Sequence, residues 1–170
     1  ATRTSEVAYL WTKVDREFYV MQGELYTTGK YGELGHQAFD KDKLLAEAPE
    51  YFVFNGRVGS LTGSRALRAK VGEKVRIYMG VGTFIPSNFH IIGEIFENLY
   101  PEGALTSPPL HNVQTTIIPP GGAAVVEFTP LVAGKYLLVD HSLTRSMDKG
   151  ALGELIVEGD SVPGVLTPVQ

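Results

Sequence analysis

An all-β sandwich carrying one or two short helices is the fold class this sequence predicts, and three features predict it. Runs rich in Val, Ile, Tyr and Phe recur along the 170 residues and end in Gly or polar positions, as strands do. Turn signals such as "PPGG" at 119–122 separate them at intervals of about 8–12 residues, the spacing of an antiparallel sandwich. A helical pattern with both a start and a stop signal occurs in one stretch.

The strands are expected at 15–27 ("DREFYVMQGELYT"), 50–56 ("EYFVFNG"), 74–80 ("KVRIYMG") and 88–96 ("NFHIIGEIF"). The series continues at 112–119 ("NVQTTIIP"), 123–129 ("AAVVEFT"), 134–140 ("GKYLLVD") and 151–159 ("ALGELIVEG"). The helix is "FDKDKLLAEAP" at 39–49, with Asp40 as N-cap, Leu44 and Leu45 as apolar contacts and Pro49 as terminator. A shorter helical turn is expected over 142–148, closed by Gly150. The chain divides into an N-terminal extension (1–13), one domain (14–159) and a loose tail (160–170) without periodicity.

Composition bounds the function. A domain of this length buries roughly two-thirds of its unfolded surface. A net charge of −4 argues against a nucleic-acid or membrane-surface role, which needs a basic face. No run approaches the ~18 apolar residues of a membrane span. The first residue is Ala1 with no signal peptide, which reads as a mature or trimmed chain. The absence of Cys excludes disulfides, thiolate metal sites and a Cys nucleophile, so transition-metal chemistry has to rest on His and carboxylate.

That absence matters most at "KYLLVDHSLTRSMDKGALGEL" (135–155), where an apolar strand runs into His141 and a short loop leads to Met147. The order is that of a blue-copper loop, but such a site needs a thiolate besides its two His and axial Met. Met147 is therefore read as core or loop packing. Of the other histidines, His36 lies in the polar loop "KYGELGHQ" and His111 follows "SPPL", and both read as surface residues. His90, between Phe89 and Ile91, is either a hydrogen-bonded core His or a proton donor, since imidazole titrates near neutrality. His141 is either a metal ligand or a cap for the following turn. One His cannot close a metal site, so any further ligands come from another domain or chain.

Several segments together carry a resemblance: "VDREFYVMQGELYTTGKYG", "EYFVFNGRVGSLTG", "SNFHIIGEIFENLYPEG", "NVQTTIIPPGGAAVVEF" and "YLLVDHSLTRSMDKGALGELIVEG". In this order, over roughly residues 14–159, they resemble the second cupredoxin domain of copper-containing nitrite reductases. The resemblance implies a cupredoxin-like Greek-key β-sandwich without a type 1 copper site. It implies oxidoreductase chemistry, nitrite to nitric oxide, in denitrification and in the periplasm. In that family three two-domain subunits form a ring. The first domain holds the type 1 blue copper, and a type 2 copper is shared between subunits.

Carried onto this chain, the "VDHS" His is the type 2 ligand His141, and the "FHIIGE" His is the proton donor His90. Ile92 shapes the nitrite pocket, Thr115 beside Gln114 fixes the catalytic His, and Leu143 packs near the ligand. The first domain, with its blue copper, two type 2 His ligands and catalytic Asp, has no counterpart in the sequence. The chain is thus expected to be a C-terminal fragment or one half of a split enzyme, inactive alone. Expected partners are nitrite, the blue-copper domain or chain, two further copies in a homotrimer, and a cupredoxin or cytochrome c as electron donor. The rival reading is a non-catalytic cupredoxin-fold module for trimerisation or docking.

Overall fold

A computed structural model describes residues 13–160. The extension expected before them and the loose tail expected after them lie outside the described residues, apart from their innermost positions.

Among the described residues, eleven strands form two facing sheets. The first contains β1 (Arg16–Leu25), β2 (Tyr51–Phe54), β4 (Val75–Val81), β6 (Phe96–Tyr100), β7 (Leu110–Val113) and β9 (Ala123–Phe128), in the order β2-β1-β4-β9-β6-β7. The second contains β3 (Leu67–Lys70), β5 (Ser87–Ile92), β8 (Thr115–Ile118), β10 (Gly134–Asp140) and β11 (Leu152–Glu158), in the order β3-β11-β10-β5-β8. This is the cupredoxin-like sandwich that the resemblance implies. The sheets are mixed rather than purely antiparallel: β1 runs parallel to β4, and β3 runs parallel to β11.

Alternation along the strands builds the core. Phe89 and Ile91 of β5 point inward and are fully buried, packing with Phe54, Ile77, Phe96, Phe128, Leu138 and Leu155 from both sheets. Asn88, His90 and Ile92, at the intervening positions, lie on the outer face of the second sheet.

Two segments expected as single strands are each two. The 88–96 run splits at Gly93, whose φ of +100° lets the chain leave the second sheet and enter the first as β6. The 112–119 run splits around Gln114 and crosses back, β7 belonging to the first sheet and β8 to the second. Strand β3, "LRAK", was not expected, because half its residues are charged and β11 supplies its pairing. Helix α1 (Lys41–Leu45) has Asp40 as N-cap, accepting from the Lys43 amide at 3.0 Å. It ends before Pro49: Glu47 takes a left-handed φ of +50° and breaks it. Leu45 is 72% exposed, so it makes no core contact of the kind expected. Helix α2 (Leu143–Met147) fills the predicted turn, and Gly150, at φ +101°, donates its amide to Ser146 O.

Candidate functional site

The outer face of the second sheet collects the residues singled out from sequence. Cα pairing sets His90 of β5 opposite Thr115 of β8 on one side and Val139 of β10 on the other. The next outward position on β10 is His141, just past the strand, where its amide donates to Asn88 O at 2.8 Å. The result is a pair of imidazoles with ring centroids 5.2 Å apart and planes at 75°.

The two rings are engaged differently. His90 Nδ1 lies 2.6 Å from the main-chain oxygen of Gln114 and 3.3 Å from Thr115 Oγ1. A carbonyl oxygen only accepts, so Nδ1 carries the hydrogen and Nε2 is left as the nitrogen that can take up or release a proton. The strand crossing at Gln114 thus fixes the tautomer of a histidine on a neighbouring strand. His90 is only partly buried, on the outer face rather than in the core. Neither ring nitrogen of His141 has a hydrogen-bond partner among the described residues, and the residue is exposed.

Exposed apolar side chains lie on the same sheet face and on the helix that follows His141. Ile92 follows on β5 and is 40% exposed; Ile117 of β8 and Leu143 at the start of α2 are exposed as well. Met147 closes α2 with 54% exposure, so it is not a core residue. The other two histidines lie elsewhere. His111 is on β7 of the first sheet, its Nδ1 donating to Glu97 O at 3.1 Å, and His36 is exposed in the loop between β1 and α1.

The His141 turn is held by groups that the sequence reading passed over. Asn88 Nδ2 donates to Ser142 Oγ at 3.0 Å, and Ser146 Oγ donates to Asp140 O at 2.7 Å. Beneath them lie the buried side chains of Gln22, Ser87 and Asp140. A signal was present: an Asp closing the apolar run "YLLV" and a Gln inside "FYVMQGEL" both need partners when buried.

As a metal site the face is incomplete. Among the described residues no group of three or more His, Cys, Asp or Glu is placed to hold an ion. His141 offers a free, exposed imidazole on a pinned turn, which fits one ligand of a site whose remaining donors come from another polypeptide.

No family model matches the chain. It is 54% identical over 156 residues, 91% of its length, to the copper-containing nitrite reductase of Neisseria gonorrhoeae, covering 39% of that protein. With the enzyme of the same name from Neorhizobium galegae it shares 33% identity over 91% of its length and 41% of that protein's. The chain therefore spans about two-fifths of the length of these curated relatives, in their C-terminal part. Among solved structures, a copper nitrite reductase from Nitrosomonas europaea superposes with a TM-score of 0.76 at 30% identity, over 92% of this chain and 54% of that one. A multicopper oxidase at 19% identity and TM-score 0.66 shares the fold.

Proposed function

From a chain that corresponds over nine-tenths of its length to the C-terminal part of copper-containing nitrite reductases, we propose the role of that part in nitrite reduction. It supplies one type 2 copper ligand, His141, and one proton donor, His90, at a face completed by the blue-copper domain of another subunit. The observation that carries this reading is the His90–His141 pair, one ring tied at Nδ1 and the other free.

The overall reaction takes nitrite, one electron and two protons to nitric oxide and water. Copper, when bound at His141, supplies Lewis acidity and a template for the nitrite oxygens. The chain's own residues do the rest at this face. His90 Nε2 delivers a proton to the departing oxygen, while its Nδ1–H stays committed to Gln114 O, so the ring keeps its orientation through the transfer. Thr115 Oγ1, 3.3 Å from the same nitrogen, closes the far side of the ring. Ile92 restricts how a small anion can lie beside the imidazoles and excludes water from that edge.

The same reading makes the working unit a homotrimer, in the periplasm, fed by a small cupredoxin or a cytochrome c. Exposed Ile92, Ile117 and Leu143 add apolar surface to this face; a stable interface buries upwards of ~1,000 Å² in all, so further residues of the chain would take part in it. Light scattering on the assembled protein should give three copies. The non-catalytic module remains the alternative outcome of one experiment: join the chain to the N-terminal part of the gonococcal relative, load copper and assay nitrite. Nitric oxide formation well above that of free copper supports the enzyme; full copper loading without turnover sinks it in favour of the scaffold.

A further inference from the structure

Asp140 has no role in the reading above, yet it is the point where both histidine-bearing segments meet. Its side chain is fully buried. Oδ1 accepts from the amides of Asn88, at 3.3 Å, and Ser142, at 3.0 Å. Oδ2 accepts from Gln22 Nε2 at 2.9 Å and from Arg145 Nη1 at 3.0 Å. Asn88 lies two positions before His90, and Ser142 directly follows His141. One carboxylate therefore ties β5, the β10–α2 turn, α2 and, through Gln22, β1 of the opposite sheet.

Each donor is itself fixed. The carboxylate can only accept here, so the NH2 of Gln22 faces Asp140 and its Oε1 takes the Ser87 hydroxyl at 2.7 Å. Arg145 also donates to Pro86 O at 2.8 Å, and its guanidinium lies 5.1 Å from the centroid of the Phe52 ring. Stability alone is a weak reason for this arrangement. An apolar residue at an inward strand position commonly serves a core as well as a buried ion pair does, whereas buried polar groups can fix one geometry among several.

We infer that Asp140 is a positioning residue: with Gln22 and Arg145 it sets the separation and orientation of the His90 and His141 imidazoles. For its functional meaning this rests on the roles proposed for those two histidines. Its test does not, because the geometry can be read without metal or turnover.

The test is NMR on the metal-free 170-residue chain, following the cross-relaxation between ring protons of His90 and His141, with melting temperature measured in parallel. Asp140→Asn sets an NH2 against the donors of Gln22 or Arg145, so the ring–ring cross-peak should disappear while resonances of the first sheet outside β1 stay in place. Arg145→Gln should weaken the cross-peak, and Arg145→Lys, which keeps a cationic donor, should restore it. If Asp140→Asn does not fold, the two Arg145 variants decide alone. A wild-type cross-peak in Asp140→Asn, or an equal cross-peak in both Arg145 variants, overturns the inference and leaves the network a purely stabilising one. Failure of copper binding in the joined enzyme with these NMR results intact would instead overturn the proposed function.

Discussion

His90 meets His141 edge to face, 5.2 Å between ring centroids, and the two rings are not equivalent. The Nδ1–H of His90 is spent on Gln114 O, whereas the nitrogens of His141 are unengaged among the described residues. A ring held at one nitrogen by a main-chain carbonyl is oriented and presents its other nitrogen alone to a partner. A ring free at both nitrogens on a rigid turn can offer a lone pair to a metal without first breaking a hydrogen bond. The asymmetry divides the proposed labour between them and makes the two residues separable by experiment.

In the chain joined to the N-terminal part of the gonococcal relative, His141→Ala should remove copper from the proposed shared site, because the two ligands proposed to remain would hold the ion poorly. His90→Ala should leave the copper count unchanged and slow turnover on the order of 10²–10⁴-fold, the usual worth of a positioned general acid. His90→Asn keeps a donor for Gln114 O but cannot pass on a proton, so it should be slowed about as far as His90→Ala. Metal analysis and steady-state rates decide this. Loss of copper in the His90 variants with retention in His141→Ala would reverse the two roles.

The chain by itself should show none of the intense visible absorption of a copper–thiolate bond, since it has no Cys. Loaded with copper and dialysed, it should reduce nitrite no faster than free copper at the same concentration. A strong band near the blue-copper region, or turnover comparable to the joined enzyme, would mean a site built differently from the one proposed around His141.

How much of this was legible in the sequence follows from which interactions are local. Asp40 capped α1 as read, because an N-cap bond spans three residues. Alternation placed Phe89 and Ile91 inward and so turned His90 outward, although the core reading of His90 gave the apolar neighbours too much weight. What could not be read was pairing across the sandwich. Glu127 lies inside the apolar run "AAVVEF", and its partner Arg76 is 51 residues away; both are buried and ion-paired. Asp140 finds Gln22 across 118 positions. The strand crossings at Gly93 and Gln114 likewise depend on which sheet accepts the next strand, a choice made by distant partners. The lack of a thiolate ligand needs no fold to be read, because the chain has no Cys.

Glu94 gives a pH dependence of stability. It stands in a groove with Ile95, Leu131, Val132 and Tyr136, and partial burial pushes its carboxyl up to about 7, with the nearby charge of Glu97 adding to the rise and an amide bond from Ile95 opposing it. The fold thus binds this proton more tightly than the unfolded chain does. The stabilisation is fully present below the ordinary carboxyl value of 4.5 and is lost as pH climbs through about 7. A fully buried group would lose about 3 kcal/mol over that window. Glu94 is partly solvated, so about 1 kcal/mol is expected, a fall in melting temperature of roughly 2–4 °C. Glu94→Gln should abolish that fall and melt higher than the parent at pH 8. Parallel melting curves for parent and variant between pH 5 and 8 would remove this assignment.

Gly93 is where the backbone carrying His90 leaves one sheet for the other, and a side chain there meets two separate obstacles. Its φ of +100° disfavours any L-residue, by about 1–2 kcal/mol. A Cβ would also stand 2.9 Å from the ring of Tyr136, whose hydroxyl is tied to Val132 O at 2.6 Å and so resists moving aside. Overpacking of that kind adds roughly 1–3 kcal/mol. Gly93→Ala should therefore destabilise by about 2–5 kcal/mol in urea denaturation. Gly121→Ala is the control: its φ of +72° is similarly unfavourable, but nothing lies within 4 Å of the new methyl, so only the backbone cost of about 1 kcal/mol should appear. Tyr136→Ala in the Gly93→Ala background separates the two contributions, because removing the ring relieves the contact but not the φ cost. The double variant should lose less than the sum of the two single changes, with a coupling of at least about 0.5 kcal/mol. Strict additivity would show that the Tyr136 ring moves freely and that the crossing is held by backbone conformation alone.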